Sequence, residues 1–206
     1  MIMRKKIMAR KNRKWFPGAI YHIMARGNYR QNIFKDDEDF KVFLVLMQDA
    51  KTKYGFKLHA YCLMTNHYHL LLETEQTEIW KIMKRINQIY AAYYNEKYRL
   101  TGHLFQGRYK SCLVENDSYF LQTSRYIHLN PVKAKMVPRA EAYPWSSYST
   151  LIGMKQEMIV EVKRTYAYFK EPQNFAYRNF VEDTTLNRYE AEIQKSMGED
   201  DLWLPW

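Results

Sequence analysis

The pattern of apolar and polar positions divides the first 130 residues into seven elements. Four short runs have the apolar or alternating side chains that are typical of β-strands: residues 19–25, 56–64, 67–73 and 108–114. Three longer runs repeat apolar positions every three to four residues, as amphipathic helices do: residues 36–54, 75–98 and 117–129. Gly55 is expected to end the first helix, and Pro131 the third, because a proline disfavours helical geometry in the residue before it.

The order of these elements is β-α-β-β-α-β-α, which predicts an α+β domain of the ferredoxin-like type. Such a domain has an antiparallel sheet with helices on one face. We assign residues 18–150 to this domain, residues 1–17 to a basic N-terminal arm, and residues 151–206 to a mainly helical C-terminal extension.

The charge of the chain favours an anionic partner. The 206 residues carry a formal net charge of +10, and 16% of them are aromatic. Residues 151–206 hold seven basic and ten acidic side chains, which leaves a net charge of +13 on residues 1–150. Seven of the eleven residues from Arg4 to Lys14 are basic. Basic charge with many aromatic rings suits single-stranded nucleic acid, because phosphates meet cations and bases stack on rings.

Other features of the composition restrict the cellular setting. The two cysteines, Cys62 and Cys112, form no CxxC pair and are too few for a disulfide framework or a cysteine-based zinc site. No apolar run approaches the roughly 18 residues that a membrane span requires. The basic run near the N-terminus is followed by no apolar segment of the kind that a targeting peptide has. We therefore expect a cytoplasmic protein with no membrane partner.

A candidate metal site lies in the third predicted strand. Residues i and i+2 of a strand point to the same face, so His67 and His69 should project side by side, with Tyr68 on the opposite face. Two neutral imidazoles at this spacing can hold a divalent metal and leave positions open for another ligand and a substrate. The alternative is a pair of surface histidines at the end of a strand.

A candidate nucleophile lies on the third predicted helix. Tyr126 and Asn130 are spaced i and i+4, so they share a helix face. An activated tyrosine can form a covalent intermediate, and the amide oxygen of Asn130 could be a third ligand for Mg²⁺ or Mn²⁺, or for zinc. The alternatives are that Tyr126 is a core or surface aromatic, and that Asn130 caps the helix before Pro131.

Four segments of the chain, in the same order, resemble the single-tyrosine transposases of the HUH class. The HUH motif consists of two histidines around a bulky apolar residue, and it stands here as His67-Tyr68-His69, with a tyrosine as a slight departure. The other similar segments are the first strand and its loop, the loop before the fourth strand, and the third helix: residues 21–34, 102–111 and 125–132. The resemblance covers residues 18–150 and is closest to the REP-associated tyrosine transposases.

This resemblance implies an enzyme that cleaves and rejoins single-stranded, hairpin-bearing DNA. His67, His69 and Asn130 would hold Mg²⁺ or Mn²⁺, although a glutamine often stands in the family where this chain has Asn130. Tyr126 would attack the scissile phosphate and form a 5′-phosphotyrosine link with release of a 3′-hydroxyl group. The implied partner is single-stranded DNA with palindromic hairpins, bound by a monomer or a homodimer.

Six further residues are candidates for contacts with DNA, because cationic and amide side chains bind phosphates and base edges: Arg26, Arg30, Gln31, Arg108, Lys110 and Arg125. Each could equally be a solvated or surface-paired side chain. The other four histidines are expected to be structural or exposed: His22, His59, His103 and His128.

Two other functions stay open at the level of sequence. Ferredoxin-like sheets with aromatic side chains also bind RNA, so the main alternative is a non-catalytic protein that binds single-stranded DNA or RNA hairpins. A two-histidine phosphoesterase would need serine or threonine two residues after its histidines. None of the six histidines has such a neighbour, which argues against that class.

Overall fold

The computed structural model describes residues 14–196, apart from the side chains of residues 187–190 and 196. The predicted N-terminal arm therefore lies almost entirely outside the described residues. Within residues 14–196, we find no helical segment that combines the length and the apolar character of a membrane span.

Four strands and three long helices form the main body of the fold. The strands are β1 (Ile20–Arg26), β2 (Phe56–Met64), β3 (His67–Thr74) and β4 (Lys110–Leu113), and the long helices are α1 (Asp37–Tyr54), α2 (Ile79–Tyr98) and α3 (Asp117–Lys133). Four shorter helices follow: α4 (Tyr148–Leu151), α5 (Lys163–Tyr166), α6 (Gln173–Glu182) and α7 (Tyr189–Ser196). The strands pair in the order β2-β3-β1-β4, and every pair is antiparallel. The predicted order of elements and the α+β, ferredoxin-like fold are confirmed.

Helices cover both faces of this sheet, whereas the sequence predicted helices on one face. The first two, α1 and α2, pack on the face that carries Tyr68, and α3 packs on the opposite face against β2 and β3. The reason is visible in β3, where all eight side chains are buried, so both faces of this strand need cover. Tyr68 lies opposite the histidine pair as predicted, and its hydroxyl donates to Asn87 Oδ1 over 2.7 Å.

The third helix is longer than predicted, because it continues through Pro131 to Lys133. Pro131 lies in the last turn, where its missing N–H removes only one hydrogen bond of the helix. The chain turns away two residues after the end of α3, at Lys135, which has a left-handed φ of 54°. The N–H groups of Lys135 and Met136 donate to the carbonyls of Val132 and Pro131, each over 2.9 Å, and so close the helix in a Schellman motif.

The segment after residue 147 packs on the side of α3 and on β2. A small core joins α4 to α6 through four buried side chains: Tyr148, Leu151, Tyr177 and Val181. Val160 forms a parallel bridge with Leu58 of β2. The described part of the extension is thus helical, as predicted. Its helices α6 and α7 pack against α3.

Candidate active site

One set of polar side chains lies on the sheet face beneath α3. In the β1–β3 register, Arg26 pairs with His67 and Met24 pairs with His69, while Met24 also pairs with Lys110 of β4. Side chains of directly paired residues share a face of the sheet. Arg26, Lys110 and both histidines therefore face α3.

The predicted histidines and tyrosine meet in space on this face. The ring centroids of His67 and His69 are 5.1 Å apart, and the ring of Tyr126 lies edge-on to His69 at 5.6 Å. All three side chains are buried, with exposed fractions of 8%, 0% and 5%. The structure thus brings the histidine pair of β3 close to Tyr126 of α3, which lies almost 60 positions later in the sequence. Their roles in catalysis stay predictions.

Burial keeps both imidazoles neutral. Loss of hydration, followed by the positive charge of Arg26, lowers the pKa of His67 to about 3. Loss of hydration also places the pKa of His69 well below its usual value, with smaller contributions from His67, His22 and Lys133. The neutral imidazole is the form that binds a metal ion.

Hydrogen bonds orient both rings as metal ligands are usually oriented. His67 Nδ1 lies 2.6 Å from Asn66 Oδ1, and an amide oxygen only accepts, so Nδ1 carries the proton. The amide is placed this way round by a second bond, from Asn66 Nδ2 to the carbonyl of Arg30 over 3.4 Å. His69 Nδ1 lies 3.0 Å from His22 Nε2. Each ring thus engages the protein through Nδ1, and Nε2 of each ring is the atom that could bind a divalent metal.

Asn130 lies one turn beyond Tyr126 and does not cap the helix, since α3 continues past it. Its Nδ2 donates to the carbonyl of Tyr126 over 2.8 Å, so Oδ1 is the atom that could bind a metal. Among the residues described, no group of three or more His, Cys, Asp or Glu side chains is arranged to hold a metal ion. The amide oxygen of Asn130 is a candidate for a third protein ligand of another type.

Lys133 is a residue of this site that the sequence analysis missed. Its Nζ is buried and lies 4.9 Å from the ring centroid of Tyr126. Its charge is also one cause of the low pKa of His69. A spacing of seven residues is close to two helical turns, so this periodicity could have placed Lys133 on the face of Tyr126.

His22 was expected to be structural or exposed, and the structure places it inside the site. It is fully buried, and its ring centroid lies 5.2 Å from that of His69 and 5.9 Å from that of Tyr126. Loss of hydration lowers the pKa of His22 to about 3. The alternation of β1 was the available signal, because His22 stands two residues before Met24 and shares its face.

Three of the predicted DNA contacts lie together at the edge of the site. Arg26 donates from Nε and Nη2 to Gln106 Oε1, over 2.9 and 2.6 Å. Gln31 is exposed, and its Nε2 donates to the carbonyl of Leu104 over 3.2 Å. Arg30 is exposed on the same loop, with a left-handed φ of 59°. This edge can offer cationic and amide groups to a strand that approaches His67.

Arg125 was predicted to contact nucleic acid, and the structure contradicts this. The side chain is only 1% exposed, and its Nη2 donates to the backbone carbonyl of Asp183 over 2.7 Å. A guanidinium that is buried between α3 and the segment after α6 cannot reach a phosphate on the surface. Arg125 instead ties α3 to the C-terminal extension.

A cavity of about 1140 Å³ opens between α2 and the loop that precedes β4. Its lining includes four aromatic side chains, Trp15, Trp80, Phe105 and Tyr109, two cations, Lys84 and Arg108, and one acid, Glu78. Arg108 was predicted to lie on a strand with Lys110, but β4 begins at Lys110, and Arg108 is exposed in the loop. Gln106 lines this cavity and also accepts a hydrogen bond from Arg26. Arg26 is the residue of β1 that pairs with His67.

A four-stranded antiparallel sheet that presents a histidine pair to a tyrosine on a covering helix is the arrangement expected of a single-tyrosine HUH protein. The family model described as "Transposase IS200 like" matches residues 16–130, which is more than half of the chain. The chain therefore belongs to the IS200-like transposase family.

One solved structure agrees on the fold. A REP-associated tyrosine transposase bound to a REP hairpin is similar with a TM-score of 0.61 and 15% identity, over 75% of this chain and 98% of that chain. A Deinococcus radiodurans protein assigned to the transposases has 24% identity over 58% of this chain and 95% of that one, with a TM-score of 0.41. The tRNA(His) guanylyltransferase of Saccharomyces cerevisiae has 9% identity over 93% of this chain and 81% of that chain, with a TM-score of 0.43. The last two TM-scores lie below 0.5 and carry no argument. No curated protein sequence matches the chain.

Proposed function

We propose that this transposase-family chain is a metal-dependent endonuclease and strand transferase for single-stranded, hairpin-bearing DNA. The observation that carries the proposal is the ring of Tyr126, held edge-on at 5.6 Å from the neutral imidazole of His69. A nucleophile beside a ligand-type histidine is what phosphoryl transfer to tyrosine requires.

A donor set of two imidazoles and one amide oxygen supports a divalent cation at the site. His67 and His69 would bind Mg²⁺ or Mn²⁺ through Nε2, and Asn130 would bind it through Oδ1. The chemistry that a metal held there would supply is polarisation of the scissile phosphate and stabilisation of the leaving oxygen. Burial of both imidazoles supports this role, because it keeps them unprotonated at neutral pH.

The covalent step falls to Tyr126. Its Oη attacks phosphorus, the P–Oη bond forms, and the P–O3′ bond breaks. The products are a 5′-phosphotyrosine link and a free 3′-hydroxyl, with the tyrosine proton ending on the released 3′-oxygen. Lys133, with Nζ at 4.9 Å from the ring, stabilises the negative charge that develops on the phenol oxygen. The link conserves the energy of the phosphodiester, so a second 3′-hydroxyl can reverse the step without ATP.

The substrate strand has two surfaces available, one beside the site and one next to α2, which packs on the opposite face of the sheet. The first is the edge that carries Arg26, Arg30, Gln31 and, on β4, Lys110. The second is the aromatic cavity with Arg108 at its rim, where rings can stack on unpaired bases. The net charge of +13 on residues 1–150 supports an anionic partner, and the REP hairpin bound to the structural neighbour supports hairpin DNA in particular.

The proposal is tested with labelled single-stranded hairpins taken from the flanks of the gene itself. The full chain is incubated with Mg²⁺ or Mn²⁺, and products are separated on a denaturing gel. We expect a protein-linked DNA band that requires metal and is absent from Tyr126→Phe. Tyr119→Phe is the matched control, since it removes a hydroxyl from the same helix two turns away. Tight binding of a hairpin with no covalent product in any metal would leave a non-catalytic hairpin-binding protein.

A further inference from the structure

His22 occupies a position between the candidate metal site and the nucleophile. On β1 it pairs with Leu71 of β3 and Cys112 of β4, so its side chain lies on the face beneath α3. Its Nε2 reaches diagonally across the β1–β3 pair to within 3.0 Å of His69 Nδ1. The ring is fully buried, so water does not compete for this bond.

Either His22 or His69 can be the donor in the hydrogen bond between them. The choice of donor decides whether Nε2 of His69 has a lone pair that can bind a metal. An imidazole in its neutral form carries one proton. If His22 Nε2 donates, the proton of His69 must sit on its Nε2, and that nitrogen cannot bind a metal. If His69 Nδ1 donates, its Nε2 keeps a lone pair. Only the second choice makes His69 a ligand.

His67 shows that the protein imposes the ligand tautomer on the other ring of the pair. Its Nδ1 donates to the amide oxygen of Asn66, which can only accept. Metal-bound histidines usually have such an acceptor at the second nitrogen, and it fixes both the ring orientation and the tautomer. For His69 the atom in the same place is Nε2 of His22.

We propose that His22 is a positioning residue for His69: its Nε2 accepts the hydrogen bond of His69 Nδ1–H and holds His69 in the tautomer whose Nε2 binds the metal. The inference rests on the proposed function, because it takes His69 as a ligand. His22 itself is no ligand in this arrangement, since its Nε2 is occupied by the bond and its own proton lies on Nδ1.

The first test measures the affinity of the full chain for Mn²⁺ by electron paramagnetic resonance, without DNA. His22→Leu removes the acceptor, and loss of such a partner weakens metal binding by roughly 10- to 100-fold. His22→Gln keeps an oxygen near the place of Nε2 and should bind Mn²⁺ within a few-fold of the wild type. Met24→Leu is the packing control, because Met24 is buried on the same strand and face.

The outcomes separate this inference from the proposed function. A folded His22→Leu variant that binds Mn²⁺ as tightly as the wild type overturns the inference, and so does a wild-type chain that binds no Mn²⁺. A wild-type chain that binds Mn²⁺ with the expected loss in His22→Leu, but forms no protein-linked DNA, supports the inference and removes the strand-transfer proposal.

A second test needs no variant and so does not depend on folding of His22→Leu. Nitrogen–proton correlation spectra of the histidine rings in the wild-type chain with Mg²⁺ report which nitrogen carries each proton. We expect the proton of His69 on Nδ1 and that of His22 also on Nδ1. A proton on Nε2 of His69 in the Mg²⁺-bound protein contradicts the proposal.

Discussion

Replacement of Lys133 by methionine tests whether the cation beside Tyr126 assists the proposed reaction. Its Nζ lies 4.9 Å from the centroid of the tyrosine ring. The phenolate charge lies on Oη rather than at the centroid; for a charge roughly 5 to 6 Å from Nζ, the interaction is about 3 kcal/mol at an effective dielectric constant of about 20. Only part of the phenolate charge has changed in the transition state, so about 1.4 to 2.8 kcal/mol is lost. Since 1.36 kcal/mol corresponds to a factor of ten, the rate constant should fall by roughly 10- to 100-fold.

The assay is the single-turnover formation of protein-linked DNA at saturating hairpin and metal. Lys135→Met is the matched control, because Lys135 is exposed just beyond the same helix and its loss changes the net charge equally. Both variants should lose the same modest amount of hairpin affinity in a metal-free buffer. Equal rate constants for the two variants would refute the reasoning, since the effect would then follow net charge rather than position.

Two further predictions concern stability. The hydrogen bond with His59, a buried residue of β2, is the main reason why the pKa of Glu73 is lowered from its ordinary value of 4.5 to about 2. The carboxylate of Glu73 therefore stabilises the fold above pH 4.5, and this contribution is lost as the pH falls through about 2. In urea titrations, the free energy of unfolding of the wild type should therefore drop by up to about 3 kcal/mol more than that of Glu73→Gln between pH 5 and pH 2, and parallel curves would contradict this. Tyr177→Phe removes a hydroxyl that bonds Ser124 Oγ at 2.6 Å and His128 Nδ1 at 2.8 Å, so it should lower the free energy of unfolding by about 1 to 3 kcal/mol. Tyr166→Phe, which loses one bond to a carbonyl, should cost less, and the reverse order would be inconsistent with the described contacts.

The strands and the first helix could be predicted from local pattern, because apolar alternation and helix signals there agree with the tertiary structure. Residues 56–64 were predicted as a strand and are β2. Asp36 caps α1 through a bond from Asp39 N–H, and Gly55 ends it with a φ of 60°. These boundaries can be predicted because the residues that set them lie at the ends of the helix itself.

Other boundaries depend on contacts that no local pattern contains. The second helix was predicted from residue 75 but begins at Ile79. The hydroxyl of Thr77 donates to the carbonyl of Tyr54 at the end of α1, over 2.9 Å, which holds the preceding residues in a loop. Pro131 was expected to stop α3, but the Schellman motif at Lys135 stops it one turn later.

The candidate site also has one part that local sequence pattern predicts and another that depends on long-range packing. The histidine pair could be predicted because its geometry depends only on the period of one strand. The contact with Tyr126 could not, since it requires α3 to cross to the face opposite α1 and α2. Arg125 shows the converse error, because its charge suggested DNA while its partner, the carbonyl of Asp183, lies 58 positions away.

The register between β1 and β3 is the step that turns these separate patterns into a site. Alternation places His22 on one of two faces, but it does not choose among the residues of the neighbouring strand. Pairing of Met24 with His69 makes His22 the diagonal neighbour of that histidine, with His22 Nε2 3.0 Å from His69 Nδ1. A slip of one residue would send His22 to the other face, among the side chains of α1 and α2. The tautomer of His69, and with it the proposed metal site, therefore depends on a strand pairing that spans 47 positions of sequence.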